Sequence, residues 1–204
     1  MNLYLRLCWV ILRSLFRARR SVHEATTLEL RVWPNDLDVN RHMNNGRFMS
    51  IVDLAIVELL MRTGFMSVVR SLGGHIVVGG SLITFRQQLT PFAKYRLQLQ
   101  YLGCNPHWHV FGFVFLSRNG AIAAKGLLKG GAVRRGQGLL TSPRIWEQFQ
   151  KLYGETVQVP VLPAYARDWL NLETTVLQSS YGEELATSAG VPVVPVEPYV
   201  RGQG

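Results

Sequence analysis

Between Trp33 and Gly46 the chain reads Trp-Pro-Asn-Asp-Leu-Asp-Val-Asn-Arg-His-Met-Asn-Asn-Gly, which puts the carboxylates Asp36 and Asp38, the His42 imidazole and several short amides into one turn. A long apolar stretch follows at once. A loop carboxylate just before a helix start sits beside unpaired backbone N–H groups, which bind anions and polarise carbonyl oxygens. In that setting Asp38 can act as base or nucleophile on a carbonyl whose oxygen points at the helix terminus. The N–H groups of Met43, Asn44, Asn45 and Gly46 are the expected oxyanion donors, and Asn40 and His42 can position water or shuttle a proton. The same residues also read as an Asx-rich turn whose side chains cap the helix. Spacing alone leaves both readings open.

Such residues need a scaffold. Residues 27–33 alternate, with Leu28, Leu30 and Val32 against Glu29 and Arg31, predicting a strand with one wet side that Pro34 and Asn35 end. Residues 46–63 have the length and period of the one long core helix, with Gly64 as its C-cap. On a 3.6-residue period Arg47, Ser50, Glu58 and Arg62 share a polar face, with Glu58 and Arg62 spaced as an i,i+4 pair. Asp53 falls between Val57 and Leu60 in direction, so it is expected to be buried or at an interface, where a carboxylate needs a partner or belongs to a site.

Four strand-like runs follow, at 75–89, 94–102, 108–117 and 121–133, broken at Thr90-Pro91, Asn105-Pro106 and Asn119-Gly120. The run at 108–117 is apolar on both faces and should be central. The order predicts an α+β domain in which a curved antiparallel sheet wraps the long helix. Beyond it, residues 142–152 and 164–178 read as helices, and 191–198, with Pro at every third position, as an extended arm. The organisation expected is a basic amphipathic helix at 1–22, a core domain at 26–135 and a C-terminal extension at 139–204.

The formal net charge is +9, and its placement is uneven. Five arginines and no acid occur in the first twenty residues, and from Leu59 to Trp146 there is again no Asp or Glu. A surface of that kind attracts an anionic partner: nucleic acid, a membrane or a phosphorylated small molecule. Nucleic acid is excluded as the first reading, because no aromatic-rich RNA motif or DNA-reading helix is present. The N-terminal segment is too short and too interrupted by arginine to span a bilayer, and no small-residue cleavage site marks it as a secretory signal. It reads either as a helix lying on an anionic membrane through residues 1–20 or as one packed on its own domain or a partner subunit. Cys8 and Cys104 lie far apart and outside any ligand spacing, which argues against structural zinc or a disulfide framework and fits a cytoplasmic location, with peripheral membrane contact as an addition.

Residues 36–45 closely resemble the motif of hotdog-fold thioesterases, both the 4-hydroxybenzoyl-CoA thioesterase-like acyl-CoA thioesterases and the plant acyl-ACP thioesterases. The resemblance covers roughly residues 26–135, including the long helix, the Gly79-Gly80 region, the run from Phe85 to Phe92 and the closing strands. It implies a hotdog fold and hydrolysis of acyl-CoA or acyl-carrier-protein thioesters by a homodimer or homotetramer. No metal is implied, and no cofactor beyond the coenzyme A of the substrate. Asp38 matches the aspartate that the bacterial enzymes use as nucleophile or general base. Asp38, Asn40 and His42 together match the Asp-x-Asn-x-His set of the plant enzymes, whereas Asp36 looks like a turn-stabilising residue. The further glutamate of the plant pattern has no clear counterpart, and Asp53 lies one position from the helix glutamate. In the family two sheets join edge to edge and coenzyme A lies along the subunit interface, which places its phosphates on Arg86, Lys94, Arg134 and Arg135. His75, His107 and His109 match nothing and are read as structural or exposed. The rival to the enzyme is a non-catalytic acyl- or lipid-binding protein held at a membrane.

Overall fold

The computed structural model, which describes residues 3–188, has the long helix α2, Asn45–Thr63, at the centre of its main core. The Asn44 side chain caps its start by accepting the Gly46 N–H at 2.8 Å. Gly64 ends it in the left-handed conformation, φ 85°, where a Cβ would also collide with the Tyr153 ring. Ile51, Val52, Ala55 and Leu59 are buried along one side of α2 beneath a six-stranded antiparallel sheet. The strands are β1 (Thr26–Arg31), β2 (Gly74–Phe85), β3 (Lys94–Cys104), β4 (His109–Ser117), β5 (Ile122–Arg134) and β6 (Gly138–Leu139). Their order is β1-β3-β4-β5-β2, with β6 paired to β5. The two strands that flank α2 in sequence thus lie at opposite edges of the sheet, and β4, apolar on both faces, takes the centre as predicted.

One strand is shorter than expected. β2 stops at Phe85, and residues 86–93 form a loop that turns Leu89 into the core and offers its carbonyl to the Met43 N–H at 2.9 Å. Apolar residues past position 85 therefore signal loop packing, not strand. The smaller helices are α3 (Phe65–Ser71), α4 (Ser142–Tyr153), α5 (Ala164–Gln178) and α6 (Tyr181–Ser188). Ala166 and Trp169 of α5 close a second small core with Val110, Leu127 and Leu162 on the sheet's outer face. From the same helix Glu173 pairs with the buried Lys129, whose ammonium lies 4.7 Å from the Trp108 ring centre. The acid-free stretch is thus neutralised in part from outside itself, by Glu173 here and by Glu29 on Arg96 at 3.2 Å. The proline-rich arm expected at 191–198 lies outside the described residues.

The N-terminal helix α1, Leu3–Leu15, faces the other way from the amphipathic reading. Its arginines turn inward. Arg6 is fully buried and donates to both carboxylate oxygens of the buried Asp36, at 3.1 and 2.5 Å. Arg13 binds Glu58 at 2.9 and 3.2 Å, and Arg17 and Arg62 each approach the same carboxylate at 3.7 Å. Glu58 is consequently buried, not part of an exposed polar face, because three arginines compensate the desolvation of its charge. The outward face of α1 is apolar, with Leu12 at 57% and Phe16 just beyond the helix at 83% exposure. No helix among the described residues is long and apolar enough to cross a membrane.

His109 is buried between the Tyr101 hydroxyl, 3.2 Å from Nδ1, and the Ser142 hydroxyl, 3.5 Å from Nε2, with the Phe65 ring 5.1 Å away. Burial pulls its imidazole down to about 4. The unfolded chain takes up this proton near pH 6.5 and the folded chain only near pH 4. Stability linked to His109 is therefore full above about pH 6.5 and lost progressively as pH falls towards 4, by about 3 kcal/mol in all. Urea denaturation at pH 7.5 and 4.5 should show that loss, and His109→Gln should flatten it. An equally steep pH dependence in the variant would assign the effect to other groups.

Candidate functional site

Asp38 sits in a loop fixed at both ends. The Asp38 N–H donates to the His42 carbonyl at 3.0 Å and the Arg41 N–H to the Asp38 carbonyl at 3.1 Å, a closure that holds Arg41 at φ 60°. Leu37 and Met43 form a β-bridge beneath it. The Asp38 carboxylate is mostly covered; one oxygen accepts the Asn40 N–H at 2.9 Å and the other lies 3.4 Å from His42 Nδ1. Asp38 and His42 thus form a carboxylate–imidazole pair, whereas Asn40 contributes its main chain and leaves its side chain exposed. An Asx turn and an acid–imidazole pair coexist in the same five residues.

Asp36 is the foundation of this loop. It accepts the Trp33 N–H at 2.8 Å and the Arg6 guanidinium, its carbonyl accepts the Asn44 N–H at 2.8 Å, and Arg47 Nε lies 3.4 Å away. The sequence offered no local signal for Arg6 in this role, thirty positions upstream, nor for the Leu89 carbonyl that holds Met43.

The proposed oxyanion donors need correction. The Met43 N–H is bonded to Leu89, the Asn44 N–H to Asp36 and the Gly46 N–H to the Asn44 side chain. Of the four, only Asn45 keeps an N–H without an acceptor among the described residues. The basic residues expected at coenzyme A are not one cluster within the chain. Arg86, after β2, and Lys94, at the start of β3, lie towards one end of the sheet, while Arg134 and Arg135 lie at the far end of β5. From Ala124, opposite Phe85, to Arg134, opposite Gly74, β5 runs ten residues, roughly 33 Å in extended chain. Asp53 is exposed on the surface of the single chain, not buried in it, and partial enclosure raises its carboxyl. That leaves an interface as the surviving part of the expectation. The Asp38 loop borders the exit of β2: Phe48, in the first turn of α2, meets Phe85 with ring centres 5.2 Å apart.

A family model described as the thioesterase-like superfamily matches residues 32–170, from just after β1 through strands β2 to β6 and into α5. Protein THEM6 of Drosophila melanogaster is 26% identical over 172 residues, 83% of this chain and 85% of its own length. Protein THEM6 of Danio rerio is 34% identical over 87 residues, 42% of this chain and 43% of its own. Among solved structures, a probable thioesterase from Escherichia coli is 18% identical with a TM-score of 0.57, covering 62% of this chain and 97% of its own. A protein from Staphylococcus aureus, solved in complex with CoA, is 11% identical with a TM-score of 0.52, covering 72% of this chain and 94% of its own.

Proposed function

From the premise that the chain belongs to the thioesterase-like superfamily and has its hotdog fold, we propose that it hydrolyses acyl thioesters, with acyl-CoA as substrate and Asp38 as the reacting acid. The observation that carries this reading is the Asp38 carboxylate, paired with His42 and held by the Asn40 N–H, in a loop that ends on an α2 terminus with the Asn45 N–H free. In this reading the thioester carbonyl oxygen accepts the Asn45 N–H, and the acyl carbon is attacked by Asp38 or by a water that Asp38 deprotonates. Addition gives a tetrahedral oxyanion at the Asn45 N–H. Its collapse breaks the C–S bond, the thiolate takes the proton, and the products are a carboxylic acid and free CoA. If Asp38 itself attacks, the acyl-aspartyl anhydride is then cleaved by water to the same products. His42 orients the carboxylate in either course, and no cofactor is needed beyond the CoA of the substrate.

β2 is an edge strand with Val78, Leu82 and Phe85 exposed along it and Phe85 at the loop, which supports a homodimer or homotetramer closing there and covering Asp53. The apolar outward face of α1, not its arginines, supports peripheral membrane contact through residues 1–20.

The test is thiol release by the purified chain from a panel of acyl-CoA and acyl-carrier-protein thioesters of graded chain length. Release from at least one acyl-CoA, proportional to protein, is expected. Saturable acyl-CoA binding without release across the panel would replace the enzyme by the non-catalytic binding protein. The same preparation mixed with phosphatidylcholine vesicles should co-sediment with them even at high salt if α1 rests on the bilayer. Its absence from the pellet would retire that contact.

A further inference from the structure

At the β1 edge of the sheet, with Asp38 not in its lining, a groove of about 610 Å³ opens between α1 and the ends of β1, β3 and β4. Five cationic side chains line it, Arg31, Lys94, Arg96, Arg118 and Arg6, the last held by Asp36; the single acid of the lining, Glu29, is committed to Arg96. Arg31, Lys94 and Arg118 have no side-chain partner among the described residues. The same lining carries apolar surface from Trp9, Leu30, Trp33 and Leu116. Beneath lie Arg6 and Tyr95, both buried, whose Nε and hydroxyl are the unpartnered polar atoms of this region. Burial pushes the Tyr95 phenol up, so it stays a neutral donor. The apolar wall continues outward, since Leu5 and Leu12 are exposed on α1 one turn to either side of Trp9.

We propose that this groove binds a single phosphate-headed amphiphile, its phosphate on Arg31, Lys94 and Arg118 and its hydrocarbon along Trp9 and Trp33 and out over α1. The volume is that of a small-molecule site, which suits one molecule better than a polymer. A neutral lipid would leave three cations unmatched, and a free phosphate would leave the tryptophan wall wet. A phosphate monoester answers both halves, because it offers three oxygens to charge-assisted donors and carries an apolar body. The test involves no turnover, and its variants leave untouched Lys94, the one groove residue also expected at coenzyme A, so its outcome is read separately from that of the proposed hydrolysis.

Titration calorimetry of the full chain with decyl phosphate below its micelle concentration, inorganic phosphate and a neutral decyl glycoside separates the contributions. Decyl phosphate should bind at least about tenfold more tightly than either fragment, and the Arg31→Gln/Arg118→Gln variant should lose about tenfold of that affinity with an unchanged thermal midpoint. Equal affinity for the glycoside would reduce the groove to nonspecific apolar uptake, and equal affinity for inorganic phosphate to a bare anion site. Unchanged affinity in the double variant would place the ligand elsewhere. Binding to phosphatidic acid vesicles without binding to monomeric decyl phosphate would overturn the groove in favour of a membrane surface, and displacement of decyl phosphate by an oligonucleotide would overturn it in favour of a polyanion.

Discussion

Asp38→Asn should lower thiol release from acyl-CoA by about 10²- to 10⁴-fold and leave the fold intact. The amide oxygen can still accept the Asn40 N–H now held at 2.9 Å, and the backbone closures from Asp38 to His42 and from Arg41 to Asp38 do not involve the side chain. What the substitution removes is the negative charge and the basicity. A neutral amide neither takes a proton from water nor adds to a thioester carbonyl, whereas binding of the substrate through its CoA is untouched, so the loss should fall on kcat with KM little changed. If Asp38 only shapes an Asx turn, asparagine serves there equally well and turnover stays at the parent value. Release measured with a thiol-reactive chromophore, beside a thermal melt, decides between the two. Full activity in a natively melting Asp38→Asn protein would end the assignment. Loss on Asp53→Asn instead would move the reacting acid onto α2, to the exposed carboxylate that a second subunit would enclose.

What the sequence displayed well was everything encoded by short-range period. Tyr95, Leu97, Leu99 and Tyr101 alternate with polar neighbours and are buried as alternation requires, and residues apolar on both faces became the central strand β4. The capping chemistry of Asn44 and Gly64 fixed both ends of α2 to within a residue. Period fails where burial is decided by distant charge. Arg6, Arg13 and Arg17 look solvated on a helical wheel because the wheel cannot contain Asp36 and Glu58, thirty and forty-five positions downstream of the first two. The same blindness puts Glu58 on a polar face. The site was half legible for a related reason. Residue types name Asp38 and His42, but whether a backbone N–H at a helix start is free depends on which carbonyl lies opposite, and the Leu89 carbonyl that occupies Met43 comes from a loop that had read as strand.

Arg6→Met should destabilise the folded chain by about 3–5 kcal/mol, the largest stability effect expected of any single surface-to-core contact of α1. The guanidinium and the Asp36 carboxylate are each 1% exposed and bonded to one another, so removing the cation leaves a buried anion with only the Trp33 N–H and Arg47 Nε, at 3.4 Å, to hold it. At this chain length the midpoint of thermal unfolding should fall by roughly 6–20 °C. Two comparisons tie the effect to the pair. Arg6→Met/Asp36→Asn removes the stranded charge but keeps an oxygen for the Trp33 N–H, and it should recover more than half of the loss. Arg13→Met should cost less than Arg6→Met, because Arg17 and Arg62 remain 3.7 Å from Glu58. A helix that merely rested beside the domain would tolerate Arg6→Met without change, and a parental midpoint would show that the pair contributes nothing. The consequence reaches the site through the backbone: the Asp36 carbonyl holds the Asn44 N–H at the head of α2, so loosening Asp36 loosens the residue that caps the helix beside Asp38. Thiol release by Arg6→Met should therefore decline at temperatures below its melt, where the double variant, with its charge removed, retains it.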